Sequence, residues 1–160
     1  MRPEDTIDFH VRYAWAGIAR QYGQLAAQRG TTMAMGQALL NIERDGTPST
    51  QLGPRMGMEK TSLSRLLNNL ETQGMIERRA DDSDRRIVRI HLTDAGKKER
   101  DRARTAVRKF NAWITEHLGG ERTARLLQDL QQLNDLIVQY PTRDVLPDLG
   151  LDANNDSNAA

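Results

Sequence analysis

Thr61, Ser62, Ser64, Arg65, Asn68 and Asn69 follow Lys60 within one short stretch, and no acid interrupts them. Hydroxyls, carboxamides and a guanidinium are the groups that hydrogen-bond base edges and phosphates. Arginine pairs with guanine, asparagine with adenine, and serine or threonine with either base or with the backbone. Between them, Leu63, Leu66, Leu67 and Leu70 fall on one face at about 100° per residue, so the spacing predicts a helix over 59–73, stopped by Gly74. Thr61, Arg65, Asn68 and Thr72 centre the opposite face, with Ser62, Ser64 and Asn69 at its margins. A surface helix with only structural duties usually mixes Glu with Lys. A solvated polar face is the competing reading of the same residues.

Beyond that helix the segment ADDSDRRIVRIHLT, residues 80–93, crowds three aspartates against two arginines and then alternates apolar and polar residues. Met75 to Arg79 and Ile87 to Leu92 read as the strands of a hairpin around an Asp-rich turn. An exposed ribbon tip is narrow enough to approach a minor groove, where concentrated phosphate potential attracts arginine. Arg85 and Arg86 are placed for that. Asp84 reads as the carboxylate that orients an arginine, whereas Asp81 and Asp82, repelled by phosphate, belong in the turn making local backbone hydrogen bonds. The alternative is an ordinary hairpin kept soluble by surface ion pairs.

These elements sit among helices. Ile7, Val11, Trp15, Ile18, Tyr22 and Leu25 mark a long first helix ending near Gly30. Thr31 or Thr32 can cap a second through Ile42, and Ser49 or Thr50 a short third through Met56 with Pro54 early in it. Thr93 can cap a fifth, opened by Asp94 and running to about Leu118 with Ala103, Val107, Phe110 and Ile114 on one face. A sixth, about Glu121 to Tyr140, carries Leu126, Leu130, Leu133 and Ile137. The expected fold is mainly α with a small β-hairpin wing: a winged helix-turn-helix domain over 31–96, an N-terminal dimerisation helix over 1–30, C-terminal dimerisation helices over 97–140, and a flexible tail over 141–160.

Net charge over the 160 residues is only +1, yet Arg55 to Lys109 holds 15 Lys and Arg against 9 Asp and Glu, leaving 8 against 13 elsewhere. A basic middle with acidic ends suits a polyanion partner. The absence of cysteine removes disulfides and thiolate chemistry and fits a reducing compartment. No stretch approaches the roughly 20 apolar residues of a membrane span, so a cytoplasmic protein without membrane contact is expected. His10, His91 and His117 lie in different elements with no ligand spacing, and no metal or cofactor is expected. Enzyme motifs are missing as well: there is no His-Glu-x-x-His, no Gly-x-Ser-x-Gly and no dinucleotide loop. In GPRMGMEKT the lysine does not follow its glycine as a phosphate loop requires.

In its order of elements and in two motifs, the sequence resembles the MarR family of bacterial winged-helix transcription regulators over residues 7 to 140. TSLSRLLNNLETQGMIERR (61–79) matches the recognition helix, its glycine stop and the first wing strand. In DRRIVRIHLTDAG (84–96), the Asp-x-Arg wing signature falls on Asp84 and Arg86 and the Leu-Thr-x-x-Gly signature on Leu92, Thr93 and Gly96.

The resemblance implies a homodimer on double-stranded DNA. Its recognition helices would enter major grooves, and its wings flanking minor grooves, with Asp84 supporting Arg86. It also implies release by a small lipophilic or aromatic acid, or its thioester. Phe9, Arg12, Tyr13, Trp15 and Met35 are candidates to line such a pocket, with Arg12 or Arg20 to hold an acid; core packing competes for the aromatics and Met35. Independently, the apolar stripes of the outer helices exceed what one winged domain can cover, which favours a partner chain over a monomeric bundle. Two recognition helices about 34 Å apart would read a palindrome. A protein-interaction module built on the same amphipathic helices is the remaining rival.

Overall fold

The computed structural model describes residues 2–145 and 147–150. Helix α1 (Ile7–Ala27) starts where the Thr6 hydroxyl accepts from the Phe9 N–H. Helix α2 (Met33–Asn41) starts the same way, with Thr32 accepting from Met35 N–H at 3.2 Å, whereas Thr31 is buried and donates to the Ala26 carbonyl. Helix α3 (Ser49–Met56) departs from expectation, because its cap position falls on Pro48 and no side chain caps it. Pro48 is held in a short strand, β1 (Thr47–Pro48), so Ser49 is already helical. Gly57, at φ +59°, closes α3 and turns the chain into α4 (Lys60–Thr72).

Strands β2 (Ile76–Ala80) and β3 (Val88–Leu92) pair antiparallel, Ile76 opposite Leu92 and Arg78 opposite Ile90. The expected two-stranded hairpin gains a third strand, since β1 pairs with β3 through Ile90 and Arg89 and the sheet order is β1-β3-β2. Met35, Leu39, Ile42, Leu52, Leu63, Leu67, Leu70, Ile76 and Ile90 form the core between α2, α3, α4 and the sheet. Each such side chain contributes about 1.5–3 kcal/mol by leaving water.

Helix α5 (Asp94–Leu118) is locked to the wing at its start. Thr93 caps it, accepting from Gly96 N–H at 3.1 Å, while its hydroxyl donates to the Gly74 carbonyl and its N–H to the Met75 carbonyl. Gly96 is buried so tightly that a Cβ there would lie 1.9 Å from the Met75 oxygen. The Leu-Thr-x-x-Gly pattern therefore has a physical basis in a helix start that only glycine can seat against the Met75 carbonyl, between α4 and β2.

The chain divides into two compact units between Phe110 and Asn111, within α5. In the first, Ile7, Val11, Tyr13 and Trp15 of α1 stay exposed. In the second, α6 (Gly120–Gln139) buries no residue and exposes Leu126, Leu127, Leu130, Leu136, Ile137 and Val138. Where a flexible tail is expected, the chain forms a short helix α7 (Thr142–Val145) and a 3-10 turn (Pro147–Leu149); residues 151–160 lie outside the described residues. Among the described residues no helix is long and apolar enough to cross a membrane.

Candidate nucleic-acid interface

On α4 the fold turns the leucines inward, Leu66 only halfway, and the polar residues outward. Leu63, Leu67 and Leu70 are buried, while Lys60, Thr61, Ser62, Ser64, Arg65, Asn68 and Asn69 are all exposed. Ser64 folds its hydroxyl back onto the Lys60 carbonyl at 2.9 Å, and Asn69 Oδ1 accepts from Gln73 at 3.0 Å. The side chains of Lys60, Thr61, Ser62 and Arg65 have no hydrogen-bond or ion-pair partner among the described residues. They are available for a ligand.

The wing tip is built around its aspartates. Asp84 grips Arg86 with both oxygens, from Nε and a terminal nitrogen at 3.1 Å each, and Arg86 N–H adds a third bond at 3.0 Å. Arg86 nevertheless remains 91% exposed, so it is aimed without being covered. That guanidinium, and then the Arg86 N–H, hold the Asp84 carboxyl below the usual carboxylate range. Asp81 is buried and accepts from the Ser83 hydroxyl and from the N–H groups of Ser83 and Asp84, at 2.8 and 3.2 Å. Its other oxygen binds Arg89, which also donates to the Gly46 carbonyl at 2.9 Å. Ser83 first, and Arg89 next, hold the Asp81 carboxyl far below the usual range. This staple ties the wing turn to the loop before β1. Asp82 and Arg85 are exposed at the turn.

Sequence reasoning missed Arg78. From β2 it donates to Asn68 Oδ1 at 2.7 Å and to the Glu71 carboxylate, joining the wing to α4. A clue was available: side chains alternate along a strand, so Arg78 shares a face with the inward Ile76 and needs a partner there.

The candidates for a ligand pocket are not gathered by the single chain. Met35 is fully buried in the winged-helix core; Arg12, Tyr13 and Trp15 lie on the exposed surface of α1; Phe9 is half-buried and stacks on Tyr13 at 5.5 Å. An apolar cavity of about 210 Å³ lies instead between the end of α1, α2 and α5, lined by Tyr22, Ala26, Arg29, Met33, Leu40 and Val107 among others. At its edge the buried Glu99 carboxylate accepts from Arg29 at 3.0 Å and from Arg102 at 3.2 Å. Aromatics early in α1 drew attention at the sequence level, but the cavity forms two turns and more further on. Among the described residues no cluster of three or more His, Asp or Glu could hold a metal ion.

A family model described as MarR family matches residues 30–87. Solved structures extend the likeness over most of the chain. The S. aureus MepR–DNA complex is 21% identical, at TM-score 0.73, over 81% of this chain and 97% of that one. A probable transcriptional regulator from Pseudomonas aeruginosa is 27% identical, at TM-score 0.72, over 82% and 99%. CouR from Rhodococcus jostii RHA1 bound to p-coumaroyl-CoA is 20% identical, at TM-score 0.72, over 83% and 94%. The matched segment runs from just before α2 to the wing tip, and the fold around it is the one these winged-helix regulator structures share.

Proposed function

We propose that this protein is a non-catalytic, sequence-specific repressor that binds a palindromic operator as a homodimer in the cytoplasm and is released by a lipophilic or aromatic acid or its thioester. One observation carries the DNA reading: an exposed, acid-free face of α4 in the same unit as an arginine that Asp84 aims outward. Thr61, Ser62, Arg65, Asn68 and Asn69 read base edges in the major groove, Lys60 and Ser64 contact backbone, and Arg85 and Arg86 enter the minor groove. MepR, a similar fold, has been captured on DNA.

Support for the dimer comes from α1 and α6, whose exposed Ile, Val, Trp and Leu residues form apolar faces that a soluble chain covers with a partner. For release, the α1–α2–α5 cavity offers an apolar body and Arg29, as p-coumaroyl-CoA bound to CouR suggests. An acid reaching Arg29 competes with Glu99 for the bond that ties the end of α1 to α5.

Anisotropy titration with DNA from upstream of the gene tests this. Specific binding should survive excess unrelated DNA, weaken steeply with salt, and fall about 5- to 100-fold in Arg86→Ala. Salt-insensitive binding, or an Arg86→Ala variant as tight as the parent, overturns the reading.

A further inference from the structure

The guanidinium of Arg78 spans from β2 to α4, donating to Asn68 Oδ1 at 2.7 Å and to the Glu71 carboxylate. A guanidinium carries N–H donors and no acceptor, so the amide atom turned toward it must be the oxygen; the chemistry of the partner fixes which way this asparagine faces. Asn68 Nδ2 keeps both protons, and nothing among the described residues accepts them.

We propose that Arg78 is a specificity-positioning residue. By occupying Asn68 Oδ1 it makes Asn68 a donor-only reader, selecting a base with a keto oxygen in the major groove, guanine or thymine, over one with an amino group there, adenine or cytosine. The inference rests on the DNA-binding reading above. An unconstrained asparagine reads adenine with donor and acceptor together, to N7 and from the N6 amino group. Here one of that oxygen's two lone pairs is taken inside the protein, and the guanidinium that takes it repels a second N–H donor approaching the other. The amino group of adenine or cytosine would meet only further N–H groups, whereas guanine O6 and N7 and thymine O4 all accept. The Glu71 carboxylate holds the same guanidinium, so swinging Arg78 away breaks a charge-assisted bond as well as the Asn68 bond.

Binding-site selection from a randomised duplex library tests it, with the full chain and four variants, each checked for folding by circular dichroism. Asn68→Ala locates the base pair, flattening the preference there and leaving the rest of the operator. Missing-nucleoside interference then identifies which strand Asn68 contacts, and on that strand the parent should favour keto over amino bases about fivefold or more. Arg78→Ala frees the oxygen and should bring adenine level with or above guanine, while Arg78→Lys, also donor-only, should keep the parent's preference.

Asn68→Asp is isosteric and still pairs with Arg78, but presents an acceptor, and should invert the preference toward amino bases; it decides the question if Arg78→Ala does not fold. Adenine favoured by the parent on the contacted strand overturns the assignment. So does an unchanged preference in a folded Arg78→Ala or in Asn68→Asp, or an Asn68→Ala profile with no altered position. If the parent selects no sequence at all, the DNA-binding reading falls with it; a selected operator showing any of these outcomes overturns Arg78's role alone.

Discussion

Replacing Gly96 with alanine should destabilise the protein, although alanine is the better helix former. At an exposed helical site the exchange gains up to about 1 kcal/mol. At Gly96 the added Cβ would sit 1.9 Å from the Met75 oxygen, 2.9 Å from its carbonyl carbon and 3.3 Å from Leu92 Cδ2. The carbonyl must retreat by more than an ångström, a strain of the overpacking kind, about 1–3 kcal/mol. That oxygen also accepts the Thr93 N–H at 3.1 Å, and losing this bond removes about 1 kcal/mol more. The gain and the lost bond roughly offset, leaving a net loss of about 1–3 kcal/mol, a large share of a typical domain's stability. Urea unfolding followed by circular dichroism, at fixed protein concentration, reads it as a lower midpoint with an unchanged slope. An equal or higher midpoint for Gly96→Ala would refute the argument that glycine is seated there by close approach.

Asp84→Ala should leave the unfolding midpoint unchanged but weaken operator binding several-fold, because Arg86 loses the carboxylate that aims it; tighter binding would mean that repulsion of phosphate outweighs orientation at this site. The Asp81 staple predicts a pH dependence. Its carboxyl titrates lower in the folded wing than in the unfolded chain, so its contribution is complete above the usual carboxylate range and fades as pH falls through the depressed folded value. Amide exchange at Ser83 and Asp84 should show this acid-sensitive protection in the parent, and an Asp81→Asn variant with the same pH profile would contradict it. Gly36→Ala places a methyl in ordinary contact, 3.6 Å from Ala103 Cβ, at the cavity wall. Thermal unfolding should show a gain of up to about 1 kcal/mol, with weaker release of DNA by an aromatic acid; a lower melting point would count against the packing described.

What could be read in the sequence was whatever local chemistry repeats. Apolar periodicity set out α1 to α6, and the Thr32 and Thr93 caps follow from residue type alone. Leucine spacing on α4 was enough to sort its residues into buried and exposed faces. Strand β1 escaped because it is two residues long, includes a proline, and exists only through its pairing with β3. Long-range polar bonds escaped for the same reason: Arg89 meets Gly46 across 43 positions and Arg29 meets Glu99 across 70. Arg78 shows the middle case, where strand alternation put a charge on the same face as Ile76 but did not name its partners.

Hydroxyl-radical footprinting on the selected operator, with the parent and Arg86→Ala side by side, tests most directly that one face of the molecule reaches both grooves. Two symmetric minor-groove protections should flank the site and vanish in Arg86→Ala, while methylation interference in the inner major grooves persists. Identical footprints for the two proteins, or major-groove interference that disappears along with the flanking protections, would contradict it.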